Sequence, residues 1–130
     1  MIKLIIAGGR DFNDYDLLID SVNELIEKGI LIEGSITIVS GMARGADTLA
    51  VQLSLDNDLP LLKFPADWNL HGKAAGFIRN QQMAKEADML LAFWDGKSKG
   101  TRHMIEYMEG LSKPAYVINY RGFYDTLFHC

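Results

Sequence analysis

At 130 residues, 48% hydrophobic and 23% charged, the chain is long enough for one domain with a proper core and too short for two ordinary ones. It has no apolar stretch near the roughly 18 residues of a membrane span, no cleavage pattern behind residues 1–8, and a single cysteine, Cys130, so the expectation is a cytoplasmic protein without internal disulfides and without a membrane partner. The net charge of −4 argues against a charge-driven grip on nucleic acid, which therefore ranks low among expected partners, although a local basic pocket is compatible with it.

In chain order, residues 2–8 (IKLIIAG) read as a first strand. Residues 15–28 read as a helix, because Leu17, Leu18, Val22, Leu25 and Ile26 recur at helical spacing with acids opposite, and Gly29 supplies the stop. A second strand over 35–41 (SITIVSG) precedes a helix over 46–55, and a third over 59–65 (LPLLKFP) leads through a long loop, 66–76, into a helix over 73–85. The fourth strand, 88–94 (DMLLAFW), precedes a helix over 101–111, closed by Ser112, Lys113 and Pro114, and 114–120 (PAYVINY) is the fifth. Several strands are apolar on consecutive residues, as strands covered on both faces are. Strand and helix alternate throughout, which predicts an α/β fold: a single doubly wound, Rossmann-like domain over 1–130 with a mainly parallel five-stranded sheet.

In such sheets ligands sit outside the carboxyl ends of the strands, so the four strand-to-helix loops are the places to look. The first holds Gly8, Gly9 and Arg10; the glycines suit close backbone approach or a simple strand end, and Arg10 offers a forked cation. The second holds Ser40, Gly41, Arg44, Gly45 and Asp47, where free N–H groups and a guanidinium can converge on one anion, and Asp47 suits the first turn of a helix. Its spacing is neither a dinucleotide fingerprint nor a Walker loop. The third holds Trp68, His71 and Lys73, with Arg79 and Asn80 on the next helix. Trp68 suits base stacking or a core plug, and His71 lacks a second His or Cys at ligand spacing, so no metal and no cofactor are expected. Arg79 stands near a helix start, where electrostatics favour an acid. In the fourth loop, GKSKGTRH (96–103), Gly100 and Thr101 open a helix among Lys97, Lys99 and Arg102, with Thr101 suited to capping or to a phosphate.

Four segments in this order, GGRDF (8–12), SGMARGAD (40–47), HGKAAGFIRN (71–80) behind Trp68, and DGKSKGTRHM (95–104), resemble the SLOG superfamily over residues 4–118. That superfamily includes the Lonely Guy phosphoribohydrolases and DNA-processing protein A, and the chain looks most like its YspA-like branch. Against the Lonely Guy pattern, Arg79, Met83, Ala87, Asp88 and the pair Gly100–Thr101 match, while Trp94, Asp95 and Gly96 replace a Pro-Gly-Gly turn. Met104 stands where the resemblance implies a glutamate that serves hydrolysis of the base–ribose bond. A thioether can neither accept a proton nor stabilise an oxocarbenium-like ribose, and Glu106, about 200° further round the helix, points elsewhere.

The leading expectation is therefore binding, as sensor or sequestering protein, of a nucleotide or nucleotide-derived small molecule. It uses Gly9, Arg10, Gly41, Arg44, Gly100 and Thr101 for phosphate, Arg79 for ribose or phosphate, and Trp68 for the base. The alternatives are a hydrolase cleaving an N-glycosidic or phosphoester bond with Asp11, Asp47, Asp67 or Asp95, and single-stranded DNA binding as in the DNA-processing proteins. The resemblance also implies a homo-oligomer, with Phe123, Tyr124, Leu127 and Phe128 able to cover a neighbouring copy or the chain's own sheet.

Overall fold

The computed structural model describes residues 1–120 and the backbone of Leu127–Phe128. Five parallel strands, β1 (Ile2–Gly8), β2 (Ile36–Ser40), β3 (Leu61–Lys63), β4 (Met89–Trp94) and β5 (Ala115–Asn119), line up in the order β3-β2-β1-β4-β5. A two-residue strand, β6 (Leu127–Phe128), pairs antiparallel with β5 at the edge. The helices are α1 (Tyr15–Glu27), α2 (Ala46–Asp56), a single turn α3 (Trp68–His71), α4 (Ala75–Glu86) and α5 (Lys99–Gly110), with a 3-10 turn over Gly72–Ala74. The expected doubly wound domain is thus present.

Successive β1 side chains feed opposite faces of the sheet, as the period of two requires. Leu4 and Ile6 join Leu18, Val22 and Leu25 of α1 and Ala50 and Leu53 of α2 in one core, while Ile5 and Ala7 join Met83 of α4 and Met104 and Met108 of α5 in the other. Burial on both faces is why β1 and β4 carry unbroken apolar runs. The third strand is shorter than its apolar run suggests. Pro60 and Pro65 bracket it, and proline lacks the N–H that a ladder needs.

The strand order reverses between β1 and β4, from which one connection runs toward β2 and the other toward β5. The loops after these two strands diverge there and leave a crevice at the carboxyl edge. Lys113 fixes the helix layer beside it: its ammonium donates to the carbonyls of Ala84 (2.7 Å), Lys85 (3.2 Å) and Ala87 (2.8 Å), the otherwise unpaired end of α4. No helix among the described residues is long and apolar enough to cross a membrane. The side chains of Phe123, Tyr124, Leu127 and Phe128, and Cys130, lie outside the described residues.

Candidate functional site

The first two loops interlock before any ligand is considered. Gly8 packs so closely on β4 that a Cβ there would sit 2.3 Å from the carbonyl oxygen of Phe93. Gly45 holds φ at 78°, and its Cβ would lie 2.1 Å from the carbonyl oxygen of Gly9, which accepts from the N–H of Ala46 at 3.3 Å. These glycines are therefore required by the approach of backbone to backbone. Ser40 serves the same loop. Its buried hydroxyl donates to the Asp47 carbonyl (3.0 Å) and accepts from the N–H of Met42 (3.1 Å), so it faces the protein.

The fourth loop is likewise built from within. Asp95 accepts from the N–H groups of Lys97 (2.8 Å) and Ser98 (2.7 Å), and the Trp94 indole donates to the Ser98 carbonyl at 3.0 Å. Helix α5 consequently starts at Lys99, with Ser98 as the cap position, and Thr101 falls in its first turn, its hydroxyl 3.3 Å from that of Ser98. The long third loop contains α3, whose start is capped by Asp67 through the N–H of Leu70 at 3.0 Å.

Between these loops lies a cleft of about 230 Å³. Gly8 and Arg10 line it from the first loop, Ala43 and Asp47 from the second, Trp68, Lys73, Phe77 and Arg79 from the third and α4, and Ser98, Gly100, Thr101 and Met104 from α5. An adjoining hollow of about 270 Å³ shares Arg10, Ala43, Trp68 and Arg79 and adds Gly41 and Arg44. Trp68 is 53% exposed, so it is no core plug. Gly9, Gly45, Ser40 and His71 line neither space.

Helix electrostatics favour an anion here. Helices α1 and α3 are capped by Asp14 and Asp67, and α4 continues from the 3-10 turn, whose Gly72 carbonyl accepts from the Ala75 N–H, whereas α2 and α5, whose first turns border the cleft, have no side-chain cap bond. Their leading N–H groups carry the positive end of the helix dipole. Gly100 has open space beside its Cα, so a ligand can come up to the backbone of α5 there.

Arg79 is the hub. Its Nη1 donates to the Gly41 carbonyl (2.5 Å) and its Nε to Asn80 Oδ1 (3.2 Å), which leaves Nη2 with no hydrogen bond among the described residues. Buried Asn80 in turn donates to the Gly100 carbonyl at 3.1 Å and faces His103 Nδ1 at 3.2 Å, tying α4 to α5. Burial lowers the pKa of Arg79; Asp47 pushes it back up and Arg10 pulls it further down. Burial likewise lowers that of His103, which suits a neutral ring accepting from Asn80.

Among the described residues, Asp47 is the single acid lining the cleft. It is 5% exposed, and burial, which disfavours its charged form, pushes its pKa up to about 6 against the pull of the Ala43 N–H, Arg79 and Arg10. The remaining aspartates of the hydrolase alternative are engaged elsewhere: Asp11 accepts from the Tyr120 hydroxyl (2.6 Å), and Asp67 and Asp95 hold their own loops. Glu106 pairs with Arg102 on the exposed face of α5 at 3.7 Å. Met104, 1% exposed, forms part of the cleft floor and of the second core at once.

Sequence reasoning missed Phe77, Ser98 and Met83, all of which line the cleft. Phe77 stands one helical turn beyond Lys73, a signal that was available; Ser98, three residues before Thr101, was an equally visible cap.

Residues 2–71 match the profile of YAcAr, the YspA, cpYpsA-related SLOG family. The Gene 61 protein of Mycobacterium phage D29 is 34% identical over 127 residues, covering 92% of this chain and 97% of its own. Among solved structures, DNA processing protein A from Streptococcus pneumoniae superposes with a TM-score of 0.69 at 18% identity, over 91% of this chain and 50% of that one. The Helicobacter pylori protein of the same name, solved for its single-stranded DNA binding mode, gives 0.63 at 22%, over 89% and 64%. The chain thus spans about half to two-thirds of these two structures, and the likeness is one of fold.

The low rank given to nucleic acid on the strength of net charge is corrected by these neighbours. A net charge of −4 averages over the whole surface, whereas Arg10, Arg44, Lys73 and Arg79 gather at one edge of the sheet while many of the acids lie elsewhere, on α1 and on the outer faces of α4 and α5.

Proposed function

The chain belongs to the YspA, cpYpsA-related SLOG family, and from that premise we propose that its carboxyl-edge cleft binds a nucleotide or nucleotide-derived small molecule through its phosphate. The observation that carries the reading is the convergence of two helix starts without side-chain caps, those of α2 and α5, on a cleft rimmed by Arg10, Lys73 and Arg79. The phosphate belongs against Gly100, Thr101 and Nη2 of Arg79, which has no hydrogen bond among the described residues, and the exposed Trp68 ring offers a stacking face for the base. Binding without turnover, by a sensor or a sequestering protein, fits the Met104 floor, since a thioether moves no proton.

Calorimetry against a panel of nucleoside mono- and diphosphates tests this. One charge-assisted hydrogen bond is worth about 1.5–3 kcal/mol, so Arg79→Ala is expected to weaken binding roughly 10- to 100-fold. Unchanged affinity in Arg79→Ala and Arg44→Ala refutes the site.

A second reading, single-stranded DNA binding, is favoured by the fold likeness to the two DNA-processing proteins. It predicts binding of an oligothymidylate that weakens steeply with salt, because each neutralised phosphate releases counterions. An affinity indifferent to salt removes it.

A further inference from the structure

We infer that Asp47 is the ribose hook of the cleft, its carboxylate accepting from the 2′ and 3′ hydroxyls of the ligand, so that the site selects ribonucleotides over deoxyribonucleotides. This rests on the nucleotide reading above and names the sugar that reading left open.

A carboxylate in a wall this buried needs partners, because it has left water behind. Asp47 has half of them. Its Oδ2 accepts from the N–H of Ala43 at 3.1 Å, and no salt bridge among the described residues joins it to Arg79 or Arg10. No hydrogen bond among the described residues reaches Oδ1. Because no fully buried side-chain oxygen or nitrogen among the described residues lacks a partner, Oδ1 keeps some exposed surface, and the cleft is what Asp47 lines. Holding the loop through Ala43 takes one oxygen only, and asparagine would do that as well. The second oxygen makes no hydrogen bond among the described residues, and the charge meets Arg79 and Arg10 only through space.

The chemistry of the rest of the cleft decides what meets that oxygen. Arg10, Lys73, Arg79 and the start of α5 all donate, and they suit phosphate. Asp47 repels phosphate, so the part of the ligand lying against it must itself donate hydrogen bonds. In a nucleotide the donors within a few bonds of the phosphate are the ribose hydroxyls; the amino groups of the base lie at the far end, where Trp68 offers its ring. A carboxylate with one fixed and one free oxygen accepts well from a hydroxyl pair.

The test is a ligand series on the intact chain: each ribonucleoside monophosphate beside its 2′-deoxy and 2′,3′-dideoxy forms, by calorimetry, in the parent and in Asp47→Asn. The expected result is a loss of about 10- to 100-fold from the ribo to the dideoxy form in the parent, shrinking to about threefold in Asp47→Asn. Ribo and dideoxy forms bound within about twofold by the parent overturn the inference and leave the nucleotide reading standing. Full discrimination retained by a folded Asp47→Asn also overturns it. No binding by any nucleoside mono- or diphosphate overturns the nucleotide reading and the hook together. Should the variant not fold, the parent series alone decides.

Discussion

Replacing Asp47 by asparagine is expected to make the free protein more stable at neutral pH, even though the residue lines the proposed site. The reasoning is a linkage argument. Burial moves the Asp47 pKa from its ordinary 3.8 to about 6, so the folded state binds the proton more tightly than the unfolded chain does. A carboxyl raised on folding destabilises the native state as pH climbs from the unfolded value to the folded one, and the cost stays constant above that. At 1.36 kcal/mol for each tenfold change in proton affinity, the rise corresponds to about 3 kcal/mol at pH 8 and about half that at pH 5, and it fades to nothing only well below pH 3.8. Asparagine never ionises and keeps an acceptor for the Ala43 N–H, so it removes most of this penalty. Urea denaturation of parent and variant at pH 5, 6 and 8 measures it. The variant is expected to gain about 2–3 kcal/mol at pH 8 and visibly less at pH 5. An Asp47→Asn protein no more stable than the parent at pH 8, or a gain that does not change with pH, refutes the account of a desolvated, half-partnered carboxylate.

Two structural predictions accompany it. Gly45→Ala places a Cβ against the Gly9 carbonyl at a φ of 78°, so it is expected to cost about 3 kcal/mol and to lower the melting temperature by roughly 10 °C, as thermal circular dichroism would show; a change of a degree or two means that the two loops do not interlock. Lys113→Met strips three α4 carbonyls of their donor, with an expected loss of about 2 kcal/mol in urea, and a neutral outcome shows that water replaces the ammonium without cost.

The parallel sheet was legible in the chain because its central strands are covered on both faces and show it as consecutive apolar residues, from Leu4 to Ala7 and from Met89 to Phe93. The single turn α3 was not legible, since four residues are too few to display a period; its one mark is Asp67, a cap that reads equally well as a loop acid. In the site, the sequence led to the right loops but not to the division of labour within them. Ser40 and Arg44 are near neighbours in one motif, yet one turns into the protein and the other onto a hollow. The hold of Arg79 on the Gly41 carbonyl joins positions 38 apart, and no local pattern reports such a contact. For the same reason Asp47 read as an ordinary first-turn acid. What sets it apart is its surroundings, in which Arg79 and Arg10 attract it without pairing with it.

The starts of α2 and α5 without side-chain caps have a practical consequence at the bench. On the proposed reading, those N–H groups donate to any small tetrahedral oxyanion, so phosphate or sulfate in a buffer competes for the same place as a nucleotide. Titration in such a buffer records displacement, and the measured affinity falls by a factor of one plus the ratio of the competitor's concentration to its dissociation constant. A competitor at 100 times its own dissociation constant masks about 2.7 kcal/mol of a ligand's binding, a hundredfold in affinity. Amine or zwitterionic buffers with chloride as counterion leave the cleft open, and in them phosphate itself becomes a probe: a melting temperature that climbs with its concentration reads out occupancy before any ligand is known.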